Sequence, residues 1–240
     1  MKSRLGVNVD HIATLRNARG EGHPDPISYA RQVMNFGANS ITIHLREDRR
    51  HIRDEDVAIF SKIKRVPINL EMAANNEMLK IALKYKPNFV CIVPEKRNEI
   101  TTEGGLNITK NKKIIKKVIS KLNSEKIRTS LFINPNIKDV FASKELNAKC
   151  VELHTGKFAL KVKNNKNYLV EFKKIKNCAA LAKKLGMEVH AGHGLDYKST
   201  KILRKIKSIE EFNIGHFIIG ESIMFGMKKV ITNFKKILIK

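Results

Sequence analysis

Short apolar or β-branched runs alternate along the chain with longer segments whose apolar positions recur every three or four residues. The first kind predicts strands at residues 4–9, 40–45, 67–71, 88–93, 128–133, 149–153, 187–191 and 212–215. The second kind predicts the helices between them. Pro26 stands near the start of one and Gly37 near its end, with Ile27, Ala30, Val33, Met34 and Phe36 on its buried side. Asp54 opens another, and further helices are expected over 75–85, 110–122, 136–145, 168–185, 196–206 and 222–239. Strict alternation of strand and helix implies parallel strands joined by right-handed crossovers. About eight such units, with no Pro/Gly/Ser-rich linker, have the size of a (β/α)8 TIM barrel. The expectation is therefore one α/β domain over 1–240, with extra short helices. A doubly wound open sheet is the competing architecture; it more naturally carries a glycine-rich fingerprint after its first strand, and GVNVDH has none.

In such barrels the site is built at the C-terminal ends of the strands. Residues 6–20, GVNVDHIATLRNARG, read as a first strand running into a polar loop that holds Asn8, Asp10, His11, Arg16 and Arg19. The other strand ends carry similar chemistry. The second gives His44 and Arg46, then His51; the third ends on Glu71; the fourth runs into Glu95, Arg97, Thr101 and Thr102. The fifth ends near Asn134, the sixth gives Glu152 and His154, the seventh His190, His193 and Gly194, and the eighth Gly215 and His216. Of the 8 histidines, only His23 lies away from a predicted strand end. A carboxylate ending an apolar strand, as at Glu71 and Glu152, must be paired, hydrogen-bonded or raised in pKa, and the last suits a general base. The glycines of AGHG and NIGHFIIG sit where barrel loops and a helix N-terminus hold phosphate. Arg19 and Arg46 are candidates to hold a second anion as bidentate forks.

Two absences narrow the reaction. No lysine falls at a predicted strand end, which disfavours an enzyme–substrate Schiff base. No His/Asp/Glu set has a recognisable metal spacing, and His190 and His193, placed on an extended segment, point to opposite sides. Neither a metal nor a cofactor is expected.

Composition changes this picture little. The 3 cysteines, Cys91, Cys150 and Cys178, are too scattered for a disulfide framework or a zinc cluster. No apolar run approaches the ~20 residues of a membrane span, and no signal-peptide core is seen, so a cytoplasmic protein with no membrane partner is expected. The net charge of +24 is a legitimate nucleic-acid signal. Yet aromatics are only 6%, Trp is absent, and the lysines are spread over nearly every predicted helix, so solvated helix faces are the expectation and no specific nucleic acid is.

The segments GVNVDHIATLRNARG, ITIHLREDRRHI, NLEMA, VPEKRNEITTEGGL, VELHTG, AGHGL and NIGHFIIG together resemble the pyridoxine 5'-phosphate synthase family over essentially the whole chain. The resemblance implies a transferase-type, ring-closing enzyme of vitamin B6 biosynthesis that assembles as a homo-octamer. It condenses 3-amino-2-oxopropyl phosphate with 1-deoxy-D-xylulose 5-phosphate to pyridoxine 5'-phosphate, phosphate and water. It further implies that Asn8, Arg19, Gly194, Gly215 and His216 hold the amino-ketone phosphate or product. Asp10, His11, Arg46, His51 and Thr101 would hold the deoxyxylulose phosphate. His44 and Glu71 become proton acceptors, His193 a proton donor, and Glu152 a support for the transition state; residues 101–105 would close over the site. The chain departs from the family pattern at Phe158, where a hydroxylated aromatic is expected, at His190, where Asn is expected, and in a lysine-rich stretch at 157–166. Whether Arg19 serves its own or a neighbouring subunit is open. Competing functions are another metal-independent barrel lyase or isomerase of phosphorylated ketones and, from another class, a basic nucleic-acid-binding protein.

Overall fold

A computed structural model describes residues 2–95 and 104–239. Eight strands, β1 (Arg4–Asn8), β2 (Ser40–His44), β3 (Ile68–Met72), β4 (Phe89–Ile92), β5 (Arg128–Ile133), β6 (Cys150–His154), β7 (Glu188–Gly192) and β8 (Glu211–Ile214), close in chain order into a barrel. Every pair is parallel, and β8 pairs back onto β1 through Leu5 opposite Phe212 and Val7 opposite Ile214. The expected (β/α)8 barrel is the observed one.

The helices α1 (Asp10–Arg19), α2 (Pro26–Asn35), α3 (Asp54–Phe60), α4 (Asn76–Tyr85), α5 (Ile108–Ser124), α6 (Ile137–Glu145), α7 (Gly156–Lys163), α8 (Leu169–Lys184), α9 (Tyr197–Leu203), α10 (His216–Phe225) and α11 (Met227–Ile239) form the outer layer. In α5 the sequence makes the division plain. Ile108, Ile115, Val118, Ile119 and Leu122 are buried, while Lys110, Lys112, Lys113, Lys116, Lys117 and Lys121 are exposed. The lysine excess here is thus a solvated helix face.

Alternation along each strand sends one set of side chains outward and the other into the barrel. Leu5, Val7, Ile41, Ile43, Leu70, Ile92, Leu131, Val151, Val189 and Phe212 belong to the core beneath the helices. The interior set is unusually polar for a fold whose barrel is commonly filled by branched aliphatics. Ser40 Oγ donates to Glu211 Oε1 at 3.0 Å, and Asn213 Nδ2 donates to Glu152 Oε2 at 2.6 Å. Small residues make this filling possible: a Cβ on Gly6 would collide with Asn213, and one on Gly192 with Glu152.

The structure corrects three sequence expectations. Residues 10–19 are a helix rather than a loop: Asp10, Ile12, Ala13 and Arg16 form its buried face, and Gly20, at φ 72°, ends it. The lysine-rich stretch at 157–166, read as a loop, is helical as far as Lys163 in α7, whose Phe158 packs edge-on against Tyr168 in the core. The single C-terminal helix expected at 222–239 is two, α10 and α11, broken at Gly226 with φ 77°.

Candidate active site

Asp10 opens α1 directly above β1, and its carboxylate reaches sideways to β2. Oδ1 accepts the His44 backbone N–H at 2.8 Å, and Oδ2 accepts Asn8 Nδ2 at 2.7 Å. Asn8 Oδ1 in turn accepts the Asp10 N–H at 2.9 Å, so the two residues brace one another. His44 and Glu71 are register partners at the ends of β2 and β3, with Nδ1 3.8 Å from Oε2. Burial raises Asp10 to about 7, against the opposing hydrogen bonds of His44 and Asn8. It also lifts Glu71 well above the carboxylate range, helped by Glu152 and Asp10 nearby. The imidazole of His44 is lowered to about 3 by burial and by Arg46, so it is neutral at pH 7. Two carboxyls that hold protons more tightly than usual and a neutral imidazole are therefore side by side.

Beyond this trio stands an anion-seeking wall. Arg46 is buried, and its Nε and one terminal nitrogen have no hydrogen-bond partner among the described residues. Asp48 and Glu95 approach Nε only to 3.5 and 3.6 Å. An unpaired buried guanidinium N–H is costly unless a ligand completes it. His11 lies between His51 and His216, with ring centroids 6.0 and 5.1 Å away. His51 is fixed by Thr14, whose hydroxyl is 2.6 Å from Nδ1. The bidentate pair of Arg16 with buried Asp56, at 2.6 and 2.8 Å, anchors α1 against α3, so Arg16 is structural.

The helices that follow β1, β6 and β8 almost at once (α1, α7 and α10) have no side-chain cap. By contrast, Asp25, Asn75, Asn107, Asn136 and Asp196 cap α2, α4, α5, α6 and α9. At α1 the Asp10 and Ile12 N–H groups are taken by Asn8 Oδ1 and the Val9 carbonyl, so it is the starts of α7 and α10 that offer backbone N–H groups at the barrel mouth, where an anion is favoured. Gly215, which precedes α10, packs against Asn8, where a Cβ would come within 2.8 Å of the Asn8 Cβ.

On the opposite wall, Glu152 is buried under Gly192, and burial raises its pKa while His190 and Asn213 pull it back. His193 follows β7 with φ 80°, a left-handed conformation rare for a non-glycine residue. Its ring stands 4.9 Å from that of His154, and burial lowers both pKa values, His154 to about 4.

Asp10, His44 and Glu71 are also the one His/Cys/Asp/Glu grouping, among the described residues, whose ligand atoms all lie within 4.8 Å of each other.

The family described as Pyridoxal phosphate biosynthesis protein PdxJ matches residues 5–240. The chain belongs to this family. It is 64% identical over 234 residues to a pyridoxine 5'-phosphate synthase of Pelagibacter ubique, covering 98% of both chains. It is 50% identical over 232 residues to that of Zymomonas mobilis, covering 97% of this chain and 90% of the relative. Among solved structures, a 4-hydroxy-2-oxoglutarate aldolase/2-deydro-3-deoxyphosphogluconate aldolase superposes with TM-score 0.65 at 11% identity, covering 99% of this chain and 95% of the other. The tryptophan synthase A-subunit of Pyrococcus furiosus does so with TM-score 0.62 at 14% identity, covering 99% and 97%. At such identities these two report the barrel alone.

Most of the described residues singled out in the sequence converge on the mouth; Arg19 and His190 do not. Arg19 is exposed and pairs with Glu21 at 3.5 Å, and it sits about 14 Å along α1 from Asp10, at 1.5 Å per residue. His190 is at the centre of β7, inside the barrel below Glu152 rather than at a strand end. Nor does an extended segment run on to His193, because β7 ends at Gly192. Thr101, with Arg97 and Thr102, lies outside the described residues. Sequence alone assigns no role to Asn213 or Glu95. The first is signalled only by a polar residue at an alternate position of an apolar strand. Glu95 brings Oε1 to 3.5 Å from His44 Nε2, the face opposite Glu71, which no strand pattern could reveal.

Proposed function

We propose that this chain joins 3-amino-2-oxopropyl phosphate and 1-deoxy-D-xylulose 5-phosphate into pyridoxine 5'-phosphate, releasing inorganic phosphate and water, the reaction for which its relatives are named. The observation that carries the reading is the buried Arg46 with unpaired N–H groups beside the Asp10–His44–Glu71 trio. Such a wall suits a phosphorylated ketone whose carbon acid must be deprotonated a few ångströms away. Arg46, His11 and His51 would take the deoxyxylulose phosphate together with Asp10, and Thr101 would join them. Asn8, Gly194, Gly215 and His216, with the free N–H groups of α10, would take the amino-ketone phosphate or the product.

No lysine is buried among the described residues, which agrees with an amine supplied by the substrate. Amine and ketone then lose water to an imine, and His44 and Glu71 remove protons in the enolisations that follow. His193 returns a proton to a departing oxygen, and ionised Glu152 offsets positive charge developing on the imine nitrogen.

Arg19 is exposed at the far end of α1 from Asp10, so its role fits a neighbouring copy. A homo-octamer is consistent with Ile223, Met224 and Phe225 exposed on α10 and Leu15 on α1, an apolar surface that self-association would bury. No helix is long and apolar enough to cross a membrane among the described residues.

The test mixes purified protein with both phosphates, without added metal, and follows pyridoxine phosphate absorbance and released phosphate together. Stoichiometric appearance of both is expected. No product at saturating substrates would remove the reading.

A further inference from the structure

The lower half of the barrel interior is an ionic cluster that the chemistry at the mouth does not use. Glu188 of β7 is bound by Arg4 of β1 and Arg128 of β5, and His190 Nε2 lies 3.0 Å from its Oε1. Glu211 of β8 receives Arg4 Nε at 2.7 Å and the Ser40 hydroxyl at 3.0 Å, and it stands 3.7 Å from His190 Nδ1. Arg4 Nη2 also stands 3.4 Å from Nε2, but the Glu188 carboxylate is closer, so each ring nitrogen of His190 has a carboxylate as its acceptor, an arrangement that suits two N–H donors and hence an imidazolium. With its ring protonated, two guanidiniums and one imidazolium oppose two carboxylates, which leaves one positive charge. Above it is Glu152, the register partner of His190. Its other neighbours are Asn213, which donates at 2.6 Å, and the Cys91 thiol, 4.0 Å away. Glu71 adds a repulsive carboxyl from β3.

From this geometry we infer that His190 is a positioning residue: clamped as a cation between Glu188 and Glu211, it keeps the Glu152 carboxylate ionised for the reaction at the mouth. The side chain of His190 is only 2% exposed, so water screens this charge little. Burial works against the imidazolium, but the Cys150 sulfur, Glu188 and Glu211 outweigh it and hold the pKa at about 10. Arg128, 20% exposed and tied to Glu188, also favours ionised Glu152, but less than the fully enclosed His190 does. His190 is therefore the cation that matters most to Glu152.

The inference rests on the proposed reaction only for the meaning of Glu152; its charge statement can be tested without turnover. Ring-15N histidine spectra of the full-length protein, with the His190 signal assigned by its loss in His190→Asn, should show a doubly protonated ring throughout pH 6–8. Carboxyl 13C titration should place Glu152 about one pH unit or more higher in His190→Asn than in the wild type. In kinetics, the acid limb of the kcat profile should move up by the same amount, with KM for both phosphates nearly unchanged, and His190→Lys should bring it back. A His190 ring that loses its proton below pH 7 would overturn the inference. So would a folded His190→Asn protein with the wild-type Glu152 titration. If the variant does not fold, the wild-type ring spectra still decide the charge of His190. A chain that makes no pyridoxine phosphate but passes both titrations would fail the proposed function and not this inference.

Discussion

Gly192→Ala is a small change with a large consequence written into the geometry. A Cβ at position 192 lands inside contact distance of Glu152 Oε1, with Cδ at 3.1 Å and the Asn213 carbonyl oxygen at 3.2 Å. Neither the strand backbone nor a carboxylate held by Asn213 at 2.6 Å has free space to move into. To restore ordinary contacts near 3.5 Å, the Glu152 carboxylate must retreat by more than about 1 Å, which breaks its alignment with Asn213. Overpacking of this kind costs about 1–3 kcal/mol. For a chain of this length that lowers Tm by about 2–4 °C per kcal/mol. The catalytic cost is the larger one, because a displacement near 1 Å in a positioned group is worth on the order of 100-fold in rate. Calorimetry with kcat and KM from phosphate release separates the two. The expected result is a folded protein with a modest Tm loss, nearly normal KM and kcat down by about two orders of magnitude. A folded Gly192→Ala enzyme with wild-type kcat would refute both the tight packing and the catalytic importance of where Glu152 sits.

Arg46→Lys replaces a planar fork by a point charge, so affinity for a phosphorylated ligand should fall by about 1.5–3 kcal/mol, roughly 10- to 150-fold; an unchanged rise in Tm with added inorganic phosphate would count against the anion site. Asp56→Asn leaves the buried Arg16 charge uncompensated, and a stability loss of about 3–5 kcal/mol in urea unfolding is expected; a loss under 1 kcal/mol would mean that the pair does not anchor α1. His190 is raised to about 10 in the fold, so its stabilisation is complete below the unfolded value near 6.5 and is lost as pH rises toward 10. Between pH 7 and 10 the urea midpoint should therefore decline more steeply in the wild type than in His190→Asn, and equal slopes would contradict the assignment.

The barrel was legible because its signal is repetitive: each strand is an apolar run and each helix an amphipathic stripe, so neighbouring units confirm one another. Strand ends such as His44 and Glu71 followed from topology, since a barrel places every strand end on one rim, whereas Glu152, expected to end β6, is its middle residue. The α1 helix was not legible, because Asn8, Asp10, His11, Arg16 and Arg19 read as loop polarity. In fact Arg16 is polar and buried at once, paired with Asp56 from an element some forty residues away. The floor cluster was hidden for a similar reason. Arg4, Arg128, Glu188 and Glu211 each look like a solvated strand edge, and only closure of β8 onto β1 brings them together. His190 illustrates the limit of position in sequence: two residues from the strand end reads as rim, but the alternation of β7 turns it into the barrel interior.

Glu71→Gln separates two accounts of how the site shares its protons. Burial raises Asp10, Glu71 and Glu152 alike, and the three cannot all carry charge in one desolvated mouth. Arg46 favours ionised Asp10, His190 favours ionised Glu152, and Glu71 has only like charges among the causes acting on it. The proton therefore rests on Glu71, which hands it to a departing hydroxyl, released as water, before it serves as the acceptor in an enolisation. Glutamine copies that protonated state in shape and charge, so in Glu71→Gln the Glu152 titration should match the wild type. Turnover should nevertheless fall by about 10²–10⁴, because glutamine cannot release and recapture a proton. Substrate binding, made elsewhere, should stay within a few-fold of normal. A Glu152 midpoint that drops by about one unit or more in Glu71→Gln would mean that Glu71 is already ionised when Glu152 titrates. In that case the protons are shared in the opposite order, and Glu71 rests as the base rather than the acid.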